Sequence, residues 1–228
     1  RQMAEAILSR AVVVVEGATE AALFPVASEV LEHFRGGAYE HIDLSGVSIF
    51  NAGSDKEVPP FGPFFKALGK PAFAFYDKQD AEPDEVTAAR LSNFSQVWES
   101  PHKGIEDVLV QEIPIETLRR FLDAAKKRAD YPGNTGTIND GMSDDEVKAL
   151  AKAVLKDRKG DNQPYAALLI AECQAEAELP ATIVTILDTV EAALVPAAPP
   201  PSEGEEGDQG DDDRAEAGGA AAQEVGTS

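Results

Sequence analysis

The run of small and β-branched residues Ala11–Val15 constrains the fold more than any other feature of the sequence. A strand whose successive residues are all apolar presents no face to water, so it has to be covered on both sides. Strands of this kind belong to parallel sheets, in which the crossover helices cover both faces. The run ends at Glu16 and Gly17, and Ala18–Phe34 then carries apolar residues at helical spacing.

The same succession of strand and helix continues along the chain. Val47–Phe50 and Pro71–Tyr76 are predicted to be the second and third strands, and Pro63–Leu68 the helix between them. Ser95–Trp98 is a candidate fourth strand. Strands and helices in this order predict an α/β fold with a mainly parallel sheet and right-handed crossovers.

The pattern divides the chain into three regions. Residues 1–112 are predicted to form the α/β core, and residues 113–195, whose apolar residues recur mainly at helical spacing, a helical region that completes the same domain. Residues 196–228 are rich in Pro and Ala, then in Gly, Glu and Asp. Such a segment cannot offset its ordering entropy, and we expect an acidic, disordered tail.

Composition excludes several classes of protein. The apolar runs are far too short to cross a bilayer and the first residues do not resemble a signal peptide, so we expect a cytoplasmic protein with no membrane partner. A single cysteine, Cys173, excludes a disulfide framework and a cysteine-based zinc site. The sequence has no glycine-rich phosphate-binding loop, so we do not expect this chain to bind ATP. The net charge of −21 argues against broad electrostatic capture of nucleic acid by this chain alone.

Acidic residues follow two of the three clear strands. Glu16 comes directly after the first strand and Asp77 directly after the third. The carboxyl ends of parallel strands lie at one edge of the sheet, where open α/β folds bind their ligands. Glu20 lies four residues after Glu16 and therefore on the same side of the helix start, and Asp80 lies in the same loop as Asp77.

Two further acids, Glu106 and Asp107, begin the short helix predicted from Ile105. Mg²⁺ or Mn²⁺ prefers oxygen ligands, and two such ions about 4 Å apart can hold the attacking and the leaving oxygens of a phosphodiester displacement. Each acid taken alone also has a structural explanation, as a turn former or as a favourable charge at a helix start. Their joint occurrence in this order favours a metal site.

The sequence Val12–Gly17, followed by Glu20 and by Phe73–Asp77, resembles the Toprim domain, which topoisomerases, bacterial primases and certain nucleases share. That family has a glutamate after its first strand and an Asp-x-Asp motif after a later one. Glu20, four residues after the first glutamate, resembles a feature of the OLD (overcoming lysogenization defect) nucleases. The sequence Gly104–Leu109 is similar to a stretch of the same nucleases. Leu155–Gly160 is similar to the carboxyl end of that family.

The resemblance, which covers about residues 10–190, implies a DNA endonuclease that uses two Mg²⁺ or Mn²⁺ ions. It implies metal ligands among Glu16, Glu20, Asp77, Glu106 and Asp107. It also implies that a basic residue, Lys159, stabilises charge on the scissile phosphate, although Lys159 is equally explained as a surface lysine before a glycine. In that family an ABC-type ATPase domain precedes the Toprim domain. Because the chain does not begin with Met, we expect a fragment whose DNA contacts and oligomerisation lie partly on that missing domain.

The chain departs from the Toprim pattern at Gln79, where the family has the second Asp of its Asp-x-Asp motif. Three explanations stay open: Asp80 substitutes for the missing carboxylate, the second metal site is weaker, or Glu106 and Asp107 complete it.

Other functions also remain open at this level. A phosphoacceptor receiver domain has acids at the strand ends of a similar sheet, but it requires two adjacent acids after the first strand, where this chain has Glu16 and Gly17. A non-catalytic binding or assembly module is consistent with Gln79 and with the acidic surface. A primase or a topoisomerase would share the metal site but would require further domains.

Overall fold

The computed structural model describes residues 1–157 and 164–194. Lys159 and the predicted tail 196–228 lie outside the described residues, so the expectations for them stay predictions. The division into 1–112 and 113–195 is likewise a prediction.

A four-stranded sheet forms the centre of the domain, with the strands in the spatial order β2-β1-β3-β4 and every neighbouring pair parallel. The strands are β1 (Ala11–Val15), β2 (Val47–Asn51), β3 (Ala72–Tyr76) and β4 (Gln96–Glu99). All five residues of β1 are buried, as expected for a central strand with helices on both faces. The predicted α/β fold with a parallel sheet is confirmed.

Helices surround the sheet. They are α1 (Gln2–Leu8), α2 (Ala18–Arg35), α3 (Phe61–Ala67), α4 (Glu85–Leu91), α5 (Ile105–Glu112), α6 (Ile115–Ala125), α7 (Asp144–Asp157), α8 (Pro164–Ala171) and α9 (Ala181–Leu194). Short 3-10 turns lie at Gly36–Ala38, Asp55–Glu57 and Glu176–Glu178. None of the helices in the described part of the chain has both the length and the apolar character needed to cross a membrane.

Alternate strand residues enter two separate cores, because successive side chains of a strand point to opposite faces. The larger core takes Val13, Val15, Phe73 and Phe75. Buried residues of α2 and of α5 to α9 complete it, and among the helices after residue 113, α8 and α9 pack on α2 and α7 packs on α5. The smaller core takes Val12, Val14, Ala72 and Ala74, and α1 and α3 cover it.

The structure differs from the sequence-based expectation at the end of α8. The helical pattern predicts a helix from Pro164 to Glu178, whereas α8 ends at Ala171. The Glu178 carboxylate stabilises the turn that follows α8. It accepts hydrogen bonds from the Gln174 N–H at 2.9 Å and from the Arg120 guanidinium at 2.5 Å. Cys173 lies in this turn, and burial raises the pKa of its thiol to about 12, which makes it an unreactive core residue.

Candidate metal centre

Glu16 and Asp77 meet at the carboxyl edge of the sheet because they follow neighbouring strands. Val15 pairs with Phe75 in the register of β1 and β3, so the residues after them leave the sheet side by side. The Asp77 backbone N–H donates a hydrogen bond of 3.1 Å to Oε2 of Glu16. This bond holds the Glu16 carboxylate over the end of β3.

Glu20 reaches the same place from the first turn of α2, and its side chain is buried. Gly17 makes room for it, since a Cβ at Gly17 would lie 2.5 Å from Oε2 of Glu20. The positive end of the α2 dipole also favours negative charge at this position. The absence of a side chain at Gly17 therefore allows the Glu20 carboxylate to lie where it does.

Carboxylate oxygens of Glu16, Glu20 and Asp77 all lie within 4.8 Å of one another. We call these three residues the acidic trio. Oxygens on opposite sides of one Mg²⁺ are about 4.2 Å apart, so the trio requires only a small side-chain movement to coordinate an ion. Within residues 1–157 and 164–194, no other three His, Cys, Asp or Glu side chains gather as closely.

The trio carries concentrated negative charge. Burial, together with the charges of Asp77 and Asp55, raises the pKa of Glu16 to about 7, and the hydrogen bond from the Asp77 N–H opposes this rise. Neighbouring carboxylates repel one another, and a bound cation relieves that repulsion. The three oxygen donors and their mutual repulsion both fit a hard divalent cation.

Asp55 is an acid that the sequence pattern did not identify. It lies in the short 3-10 turn that follows β2, and its charge is close enough to raise the pKa of Glu16. The rule that selected Glu16 and Asp77 also applies to Asp55, because it follows a parallel strand. It lies four residues after the end of β2, whereas Glu16 and Asp77 directly follow their strands, so the sequence pattern did not select it.

Glu106 borders the trio at the start of α5, where it is 2% exposed. Gly104, at φ +117°, lies just before this helix. A Cβ there would be 3.3 Å from Oε2 of Glu106 and 3.7 Å from Oδ2 of Asp77. The two carboxylates therefore approach the same point from β3 and from α5.

Asp107 and Asp80 are held elsewhere by lysines. Asp107 forms an ion pair with Lys152 of α7. Asp80 has a side chain that is 82% exposed and pairs with Lys103, and the hydrogen bond from that ammonium lowers the pKa of the carboxyl. The structure thus brings Glu106 beside the trio and brings neither of these two aspartates into it.

Gln79 has a structural role in the loop after β3. Its side-chain amide donates a hydrogen bond of 2.7 Å to the backbone oxygen of Asp77. Its own N–H donates to Oε1 of Glu99 at 2.9 Å. These two bonds attach the loop to the ends of β3 and β4, and they support the position of Asp77.

A family profile described as "Overcoming lysogenization defect protein-like, TOPRIM domain" matches residues 7–78, the segment that includes the acidic trio. The chain contains an OLD-like Toprim domain. This domain type is associated with nuclease catalysis, and Toprim domains use divalent ions. Glu106 lies beyond the matched residues, so its place beside the trio is known from the structure alone.

Solved structures of OLD proteins share the fold. The C-terminal region of the Burkholderia pseudomallei OLD protein superposes with a TM-score of 0.51 at 16% identity, over 82% of this chain and 98% of that one. The C-terminal region of the Xanthomonas campestris pv. campestris OLD protein gives a TM-score of 0.50 at 15% identity, over 83% of this chain and 96% of that one. No curated protein sequence matches the chain. The likeness to these structures therefore extends through the helices that follow the Toprim segment.

Proposed function

We propose that this chain is the catalytic part of an OLD-type nuclease that cleaves DNA phosphodiester bonds with Mg²⁺ or Mn²⁺. The observation that carries the proposal is the acidic trio, whose carboxylate oxygens lie within 4.8 Å of one another inside an OLD-like Toprim segment. Bound divalent ions would supply Lewis-acid stabilisation of a scissile phosphodiester at this edge.

The acidic trio is the proposed set of ligands for the first ion. Glu106 is the proposed additional ligand for a second ion, because it faces Asp77 across the point next to Gly104. In this arrangement Glu106, and not Asp80, compensates for Gln79. Lys159, which lies outside the described residues, is proposed to stabilise charge on the scissile phosphate.

The Glu16 carboxyl also binds and releases a proton near neutral pH. With a pKa of about 7, the Glu16 carboxyl is partly protonated near neutral pH. A cation that binds to Glu16 displaces this proton. The Asp77 N–H donates to Oε2 of Glu16 at 3.1 Å and orients this side chain.

The net charge of −21 requires that DNA affinity come from local cations and from other parts of the full protein. We propose that an ABC-type ATPase domain precedes this domain and contributes DNA contacts and oligomerisation, in agreement with the similarity to C-terminal regions of OLD proteins.

Plasmid nicking tests the proposal. Supercoiled DNA is incubated with the chain in Mg²⁺ or Mn²⁺, and the wild type is compared with Glu16→Ala and Asp77→Ala. Loss of either ligand is expected to lower the metal-dependent rate roughly 100-fold or more. Glu29→Ala, on the exposed side of α2, is the matched control and is expected to retain the wild-type rate.

The outcomes separate the competing functions. Cleavage that survives both ligand substitutions would come from another site or a contaminant and would contradict the proposal. Tight Mn²⁺ binding without any cleavage would favour a non-catalytic binding or assembly module. A mass increase of one phosphoryl group after incubation with acetyl phosphate would favour a receiver-like domain.

A further inference from the structure

A cavity of about 250 Å³ opens at the carboxyl edge of the sheet. We call it the edge cavity. The turn after β2, the ends of β3 and β4, and α4 form its walls. Its lining includes Asp55, Lys56, Tyr76, Gln79, Arg90 and Glu99.

The edge cavity adjoins the acidic trio. Tyr76 is the residue before Asp77, and it packs against the smaller core, on the face of the sheet that α3 covers. Gln79 lines the cavity and also donates its amide to the backbone oxygen of Asp77 at 2.7 Å. Asp55 lines the cavity and acts electrostatically on Glu16. A molecule in the cavity would therefore lie directly beside any group bound at the trio.

The lining combines an aromatic ring with two cations. Tyr76 is half-buried, whereas Lys56 and Arg90 are exposed. Within the described residues, neither cationic side chain forms a hydrogen bond or an ion pair. The sequence has 20 Lys and Arg against 41 Asp and Glu, so two such cations in one cavity stand against the overall charge balance. Asp55 and Glu99 balance their charge, which disfavours a small free anion and leaves the aromatic wall as the further source of affinity.

The size of the cavity limits its ligand. Pockets that enclose a drug-sized molecule measure roughly 300–1,000 Å³, so a cavity of about 250 Å³ accommodates one base with its sugar rather than several nucleotides. Aromatic rings that stack on bases, together with Lys and Arg on the phosphates, are the usual means of holding single-stranded nucleic acid.

We propose that the edge cavity binds the nucleotide next to the scissile phosphate, with its base stacked on Tyr76 and its phosphate held by Lys56 and Arg90. This proposal rests on the proposed nuclease function, because the trio defines where the scissile phosphate lies. The cavity then positions a single strand, or a locally unpaired one, across the metal centre.

Oligonucleotide binding by the full chain tests the cation contacts. Fluorescence anisotropy of a labelled single-stranded oligonucleotide is measured in Ca²⁺ at several salt concentrations. If both side chains contact phosphate, Lys56→Ala/Arg90→Ala makes the negative slope of log affinity against log salt shallower by about 1.4. The same relation gives about 25-fold weaker binding at 0.1 M salt.

A matched control removes the same charge elsewhere. Lys66→Ala/Lys127→Ala changes two exposed lysines that do not line the cavity, and it is expected to leave the slope near the wild-type value. Equal effects of the two double variants would show a general charge effect and overturn the proposal. An unchanged slope in the cavity variant, or no oligonucleotide binding by the wild type, would also overturn it.

The stacking contact has its own readout. Tyr76→Phe keeps the ring and is expected to leave the dissociation constant unchanged, whereas Tyr76→Leu is expected to raise it about fivefold or more. Melting temperatures confirm that both variants are folded. Equal affinities for the two variants would contradict stacking on Tyr76.

This proposal and the nuclease proposal fail in different ways. If cleavage depends on Glu16 and Asp77 while the cavity variant behaves like its control, only the edge-cavity proposal fails. If the wild type does not cleave DNA but its oligonucleotide binding depends on Lys56 and Arg90, the nuclease proposal fails and the cavity remains a nucleotide-binding site.

Discussion

Replacing Glu16 by Gln is expected to stabilise the metal-free protein at pH 8. Burial and the neighbouring carboxylates raise the pKa of Glu16 from its ordinary value of 4.5 to about 7. Because the pKa is higher in the folded state than in the unfolded one, the contribution of Glu16 to stability is complete below pH 4.5. It is lost as the pH rises through 7, where the folded protein must hold the charge that burial disfavours. Gln carries no charge and avoids this loss.

The magnitude follows from the size of the pKa change. A rise from 4.5 to about 7 corresponds to about 3 kcal/mol if none of it is screened. Glu16 is only half-buried, and solvent screens the interaction, so we expect about 1–2 kcal/mol. In a domain of this size, that difference raises the melting temperature by about 2–8 °C.

Thermal unfolding in EDTA at pH 5 and pH 8 measures the effect. The advantage of Glu16→Gln over the wild type should be small at pH 5 and full at pH 8. Glu29→Gln, on the exposed side of α2, should show no such change with pH. Saturating Mn²⁺ should reverse the order at pH 8, because it stabilises only the protein that can bind it. A difference between wild type and Glu16→Gln that does not depend on pH would refute this reasoning.

Three further substitutions probe the geometry of the metal centre. The backbone of Gly17, at φ −137°, allows Gly17→Ala, so the melting temperature should change little. The new Cβ would displace the Glu20 carboxylate, and the Mn²⁺ affinity measured by calorimetry should therefore fall about tenfold. An unchanged affinity would mean that Glu20 is not a ligand. Gly104→Ala places a side chain at φ +117° and against Glu106, so urea unfolding should show a loss of about 1–3 kcal/mol, and a neutral result would contradict the strained backbone. Asp80→Asn should leave the Mn²⁺ affinity within about twofold of wild type, since lost ligands typically cost tenfold or more, and a larger loss would return Asp80 to the ligand set.

The sheet and one edge of the site could be predicted from short stretches of sequence. Five successive apolar residues allow β1 (Ala11–Val15) only a doubly covered position, and the structure has the same bounds for it. Chain direction then places the residues after parallel strands at one edge. Glu16 and Asp77 lie together for this reason.

The completion of the site depended on tertiary structure. Glu106 and Asp107 are adjacent and equally acidic in the sequence, yet Glu106 faces Asp77 whereas Asp107 pairs with Lys152, which lies 45 residues further along the chain. Likewise, the path of the turn after β2 brings Asp55 toward Glu16. Local periodicity contains no information about such distances, because loop paths depend on contacts between residues far apart in sequence.

The sequence by itself therefore determined the order of the elements and the edge at which acids gather, since both follow from local apolar patterns and chain direction. Only the tertiary structure decided which acids share one point, because that choice depends on the helix rotation that buries Glu106 and on the distant lysine that holds Asp107 away. The edge cavity, too, exists only where the turn after β2, the ends of β3 and β4, and α4 meet.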